Sequence, residues 1–412
     1  MILLRPLLFS ILGVLPGLSE IPDWGEWRGP TRDGQIHKGA KAWPETLGDE
    51  NFKKQWSVDL AEGYSSPIAV ENRVFTVETS DKKNEVVRAF DRGTGEQLWE
   101  SSWKGSMMVP FYAAKNGSWV RSTPACDGKL LYVGGMRDVL VALDVQSGDV
   151  KWRVDFPEEA GTQRPQFGFV CSPLLGEDYL YVQAGSALRK IRKSDGKTMW
   201  KTLEDDRAMF GEAFSSPIWA TIGGRKQIVV QTRMLLAGVS PENGEVLWST
   251  PVKAFRGMNI LTPTPVGDHV FTASYGGGTF WYEIDSDDES QSVTELWNDK
   301  LEGNMSSPLV IDGKVYLHGR DKRFHCIDPG EKKVLWSTKN IYGDYWSMVA
   351  NGNRILALDD RGTLMLIEAD AGEFKLVNEL EVSARPTWAH ASVCGNEVLV
   401  RDLKGLTSYR WE

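Results

Sequence analysis

Short apolar runs alternate with polar turns along this chain, and the same order of runs returns along almost its whole length. The clearest copy covers residues 306–336. It opens Ser306-Ser307-Pro308, runs apolar from Leu309 to Leu317 across an Asp312-Gly313 break, continues through Cys326-Ile327-Asp328, and closes on Val334-Leu335-Trp336. Runs of this length bounded by Gly, Pro, Asn and Asp read as strands. The opening mark recurs at Ser66-Pro67, Thr123-Pro124, Ser172-Pro173, Ser216-Pro217, Thr264-Pro265 and Ser307-Pro308, with degenerate copies at Met348-Val349 and Ser392-Val393. Neighbouring marks lie 41 to 57 residues apart. A period of about 45 residues is that of one four-stranded propeller blade.

The closing turns repeat as well, from Asp91 to Trp99, Asp144 to Trp152, Arg192 to Trp200 and Ser240 to Trp248. Each holds a Gly that supplies the positive φ of a tight hairpin. The tryptophan that follows falls on the outermost strand, where its ring can wedge between blades. Trp99, Trp152, Trp200, Trp248, Trp297 and Trp336 are the predicted docking residues. One strand stands apart from this order. Lys54 to Val58 carries a docking Trp56 with no three strands before it. Its missing partners stand at the other end, at Pro386–Val393, Glu397–Asp402 and Leu406–Trp411. The expectation is an all-β, eight-bladed β-propeller of four-stranded antiparallel blades, closed by an N-terminal strand that completes the last blade and leaves no open edge.

Three regions follow: 1–19, a 20–50 lead-in, and a propeller over 51–412. The first reads as a signal peptide, with Arg5, an apolar stretch to Leu15 and small residues before position 20. Such a stretch, broken by Pro6 and Pro16, is too short to span a ~30 Å membrane core. The protein is therefore expected to be exported, periplasmic or extracellular, and not membrane-spanning once the leader is removed. The lead-in is rich in Gly, Pro and Trp (Trp24, Trp27, Trp43), which argues against both regular structure and a floppy linker. It is expected to pack along the outer or bottom surface, with a strip of exposed tryptophans for a carbohydrate or partner as the alternative.

Composition narrows the partners. Net charge is −9, and no Lys/Arg-rich run occurs, so a nucleic-acid partner is not expected. Cys126, Cys171, Cys326 and Cys394 lie in different blades without C-x-x-C spacing. They read as free buried thiols, although export would permit disulfides. The acidic hairpin 285–289 reads as a solvated loop, because it lacks the spaced ligands of a calcium loop. The excursion from Gly105 to Val120 either caps a binding site or packs on itself. No catalytic motif and no metal-binding set is legible.

The Gly-x-x-x-Trp closure after an Asp-x-x-x-Gly turn resembles the pyrroloquinoline quinone (PQQ) repeat of quinoprotein-type β-propellers. Trp24-x-x-Trp27-Arg28-Gly29-Pro30-x-Arg32-Asp33-Gly34, Gly63-Tyr64-Ser65-Ser66-Pro67 and Thr387-Trp388-Ala389-His390 look like exported BamB-like propellers of planctomycete-type bacteria. In its enzyme members the resemblance implies PQQ over a tryptophan floor, Ca²⁺ held by Asp, Glu and Asn, an Asp base and a disulfide between adjacent cysteines. No Cys-Cys pair occurs here. The residues themselves identify no cofactor, and PQQ enters by resemblance only. The expected function is a binding or protein-interaction scaffold, a monomer engaging a protein or small molecule at the propeller face. A PQQ-dependent alcohol or sugar dehydrogenase is the alternative. Residues just ahead of the repeat marks vary, which frees them to specialise at the channel mouth: Tyr64, Arg121, Phe169, Phe214, Asn304, Trp346 and His390. They would suit a ligand with a flat ring and a carboxylate, or a peptide strand. The competing expectation is that they plug the channel.

Overall fold

The computed structural model describes residues 23–36, 39–205, 213–287 and 290–412. The leader, residues 1–19, lies outside the described residues. Eight four-stranded antiparallel sheets form the blades. They cover residues 68–104, 125–155, 174–202, 218–251, 264–299, 309–337, 346–381 and 392–411. The last blade carries only three of its own strands, and Phe52–Asp59 pairs with Gly405–Trp411 to supply the fourth. The two ends of the propeller thus close each other, and the strand around Trp56 does what its isolated docking residue predicted.

Strand chemistry follows position within a blade. Innermost strands such as Ile68–Val70 are apolar and buried throughout, because they are covered on both faces. Outermost strands such as Gln97–Lys104 alternate exposed and covered residues. In each outer pair the register slips by one residue. The slip falls directly before Trp56, Trp99, Trp152, Trp200, Trp248, Trp297 and Trp336, and before Asn378 in blade 7. A bulge adds one residue and re-aims the next side chain, here toward the following blade.

The re-aimed rings of Trp56, Trp99, Trp152 and Trp200 lie on the neighbouring blade's turn glycine, and most of the re-aimed indoles donate to that turn. The Trp56 indole donates to the Arg92 carbonyl at 2.9 Å, Trp99 to Val145 at 2.9 Å, Trp152 to Lys193 at 2.7 Å, Trp200 to Pro241 at 3.3 Å and Trp336 to Asp370 at 3.0 Å. Gly148 has φ of 75°, and a Cβ there would stand 2.6 Å from the Trp99 ring. The turn therefore requires Gly twice over, for its dihedral and for its covering ring. Trp248 departs from this pattern. The turn of blade 5 is replaced by the longer acidic hairpin, and the Trp248 indole donates instead to Gln227 Oε1 at 2.7 Å. Trp99, Trp152 and Trp248 are buried, and Trp200, Trp297 and Trp336 are half-buried. All four cysteines are buried free thiols, and burial pushes those of Cys126 and Cys171 up to about 12.

The lead-in, expected along the outer or bottom surface, divides in two: residues 41–47 pack across blades 7 and 8, whereas the first part enters the channel, which corrects the sequence reading. Residues 24–36 run through the central channel. Trp24 pairs with Ala69 of blade 1, the Gly25 carbonyl accepts from Cys126 of blade 2, and residues 34–36 pair with Ala350 of blade 7. Arg32 donates to the Ser172 and Pro173 carbonyls of blade 3, and Arg28 to the Pro308 carbonyl of blade 6. Both arginines are buried. The channel contains carbonyl oxygens at the ends of the inner strands that have no strand partner, and a guanidinium with its five donors satisfies several at once. Arg32 is also paired with Glu26 at 3.1 Å. Beyond the channel, Trp43 and Leu47 reach the rim of the last blade, where Trp43 meets Trp411 at 5.5 Å and the Trp411 indole donates to Thr46.

Candidate ligand funnel

The Ser-Pro marks and the residues beside them form a ring around the channel, with amide-to-hydroxyl bonds between neighbouring blades. The Ser66 amide donates to Thr123 Oγ1 at 3.2 Å, Thr123 to Ser172 Oγ at 3.1 Å, and Ser172 to Ser216 Oγ at 2.9 Å. Thr262 donates to Ser307 Oγ, Ala391 to Ser347 Oγ, and His390 back to Ser66 Oγ. A hydroxyl accepts one amide proton from the neighbouring blade while its own amide serves the next, so the marks hold blade to blade. The proline after the mark has no N–H to satisfy.

On an extended strand, side chains two residues apart share a face. The residues two positions ahead of the ring are Tyr64, Arg121, Val170 and Phe214 on one half, and Ile260, Met305, Tyr345 and Trp388 on the other. All eight line one cavity of about 620 Å³ on the face where the blades connect. Trp27 of the channel segment forms its floor, with its indole donating to Thr262 Oγ1 at 3.1 Å and its ring edge-on to His390 at 5.2 Å. Two aromatic arcs face each other across it. Tyr64, Trp388 and Tyr345 form one, the last two stacked at 5.8 Å. Tyr112, Phe167 and Phe214 form the other. Arg121, Arg256, Asn116, Gln166 and Asn304 add polar groups, and among the described residues no carboxylate or cysteine lines the cavity. Arg121 is held by the excursion it anchors, donating to the Trp119 and Gly117 carbonyls.

Four of the seven sequence-predicted residues, Tyr64, Arg121, Phe214 and Asn304, line this cavity. Three do not, and the reasons are matters of register. Phe169 stands one residue before the lining Val170 and so turns into the core between blades 2 and 3. Trp346 stands one residue after Tyr345 and is buried against His318 and Phe324. His390 is itself a ring member, two residues too deep and beneath Trp27. Burial and the nearby Arg28 pull its imidazole down to about 3, so it is neutral, with Nδ1 on the Ala391 carbonyl. A one-residue slip moves a side chain to the other face. The missed residues include Tyr345 and Trp388, which the two-residue offset from Ser347 and His390 would have found. Trp27 and Tyr275 carry no such signal, because the first comes from the lead-in and the second from a turn within blade 5.

Among the described residues, no three His, Cys, Asp or Glu side chains gather where they could hold a metal ion. The fold and cavity define a closed eight-bladed propeller with a filled channel and one aromatic funnel. The chain belongs to the PQQ-repeat propeller family described as "Outer membrane protein assembly factor BamB", whose profile matches residues 82–338. It is 21% identical over 369 residues to outer membrane protein assembly factor BamB of Yersinia pestis, covering 86% of this chain and 88% of that protein. It is 22% identical over 345 residues to a quinoprotein ethanol dehydrogenase of Pseudomonas putida, covering 79% of this chain and 46% of the dehydrogenase. The crystal structure of BamB from Moraxella catarrhalis superposes with a TM-score of 0.62 at 13% identity, over 88% of this chain and 98% of that one.

Proposed function

We propose that this protein is an exported interaction scaffold that holds a protein partner against the funnel face, in the assembly of outer membrane proteins. The observation that carries the reading is the convergence of residues from all eight blade connections on one aromatic cavity. Aromatic rings with a few amides and guanidinium groups suit an apolar or aromatic side chain presented by a partner. The rim adds Met108, Phe111 and Tyr112, all exposed, with Phe111 at 91%. The likeness to the Yersinia pestis assembly factor over 88% of its length supports the same reading, whereas the dehydrogenase is matched over 46% of its own. No helix of the described residues is long and apolar enough to cross a membrane.

The reading includes no PQQ chemistry. A calcium–quinone pair needs carboxylate ligands, and among the described residues none lines the funnel, so the groups present there do not fit that pair. The test is calorimetric titration of the purified protein with PQQ and Ca²⁺, run beside dye-linked alcohol oxidation. The proposal expects neither stoichiometric binding nor turnover. Tight binding with turnover, both lost in Trp388→Ala, would replace the scaffold with a quinoprotein dehydrogenase.

A further inference from the structure

The excursion between blades 1 and 2 divides two cavities. Tyr112, Ala113 and Asn116 face the funnel, while Met107, Met108 and Trp119 face a second cleft of about 480 Å³. Across that second cleft stand Lys82 and Lys83 on a turn of blade 1, Lys104 at the end of its outermost strand, and Arg137 on a turn of blade 2. Among the described residues no carboxylate lines it. Lys82, Lys83 and Lys104 are exposed, and none of these four cations forms an ion pair among the described residues; the Arg137 guanidinium donates to the Ser106 carbonyl. Glu85, beneath the cleft, is buried and already accepts from the Trp103 indole and the Met136 amide. Three exposed lysines and Arg137, the last facing the buried Glu85, form a concentrated positive patch on a chain of net charge −9. Arg121 and Arg256 extend it into the funnel.

We propose that the basic cleft receives an acidic, extended peptide segment of the partner, which crosses the Met108–Tyr112 ridge and places an apolar side chain in the funnel. The inference rests on the scaffold reading and adds the chemistry of the partner. Charge complementarity fixes the sign of the segment and speeds its encounter. The exposed Met108 and Phe111 on the ridge favour a polypeptide with apolar side chains over a polysaccharide, which would leave that surface uncovered.

The probe is a fluorescein-labelled peptide of roughly ten residues, glutamate-rich with one central phenylalanine, a length that spans about 33 Å when extended. Its lysine counterpart and dextran sulfate are run in parallel, and binding is followed by anisotropy. Binding of the acidic peptide only is expected, weakening as salt is raised. Lys82→Glu with Lys83→Glu and Lys104→Glu should weaken it at least tenfold and flatten the salt dependence. Trp388→Ala should weaken it without changing the salt dependence. If the lysine substitutions have no effect while Trp388→Ala abolishes binding, the cleft is not the site and the funnel reading survives. If neither matters, or the acidic peptide does not bind, the acidic-segment proposal fails. If dextran sulfate binds as tightly as the peptide and Trp388→Ala changes nothing, the cleft is a polyanion site and the proposal is overturned.

Discussion

At the residue scale the account rests on side chains that do two jobs. A docking tryptophan fills the gap between blades and satisfies a turn carbonyl in the next one. Trp152→Ala, removing a buried ring and its bond to the Lys193 carbonyl, should cost roughly 3–5 kcal/mol by urea denaturation. Trp200→Ala and Trp336→Ala, at half-buried rings, should cost less, and an equal cost would show that burial is not the cause. Arg32 is the channel counterpart. Truncating Arg32 to Ala strands Glu26, whose carboxyl is already raised by burial, and should cost about 3–5 kcal/mol. Replacing Glu26 by Gln in the same protein should recover part of that loss. Asp138 gives a pH signature, because burial pushes its carboxyl from 3.8 up to about 6. It accepts from the Gly185 amide and faces Arg189 and Asp155. Its folded-state value lies above the unfolded one, so its contribution is complete below the unfolded value and is lost as pH rises through about 6. Asp138→Asn should therefore gain on the wild type by on the order of 3 kcal/mol between about pH 4 and pH 7.5, at ~1.36 kcal/mol per unit. A pH-independent difference would contradict this.

At the element scale, most of the architecture was legible because the repeat states it several times. The Ser-Pro mark, the Gly turn and the Trp closure name the start, the last hairpin and the last strand of a blade, and the orphaned Trp56 strand named the closure. Two elements were not legible. The one-residue bulge before each docking tryptophan leaves no residue signature, since any side chain can occupy the extra position. The channel segment 24–36 was misplaced because its glycines and prolines describe an irregular chain without saying where it runs. Its two arginines were the available signal, as guanidinium groups outside a strand pattern can serve many carbonyls at once. The site was legible in part for the same reason. Where the mark is intact, as at Ser66, Thr123 and Ser216, counting back two residues reaches the funnel. Where it is degenerate, as before Ser347 and His390, the mark itself is misplaced, and at the intact Ser172 the variable Phe169 lies one residue short of the lining Val170. Deleting residues 51–60 should expose the edge of the last blade and replace one cooperative thermal transition by aggregation. An unchanged transition would remove the closing role of this strand.

At the scale of the whole molecule, the propeller places its variable side chains on one face and its repeated ones between the blades. The blade connections carry the funnel, the excursion and the basic cleft, while the rings and turns below carry stability. A scaffold built this way loses its partner without losing its fold when the funnel face is altered. The most direct measurement is site-specific photocrosslinking in cells, with the crosslinker placed in turn at Phe111, at Tyr64 and at Met199 on an outermost strand. The account predicts one discrete protein adduct shared by Phe111 and Tyr64, absent from Met199, and lost in Trp388→Ala with the thermal transition unchanged. The same adduct from Met199, or its persistence in Trp388→Ala, would contradict the funnel face as the place where the partner is held.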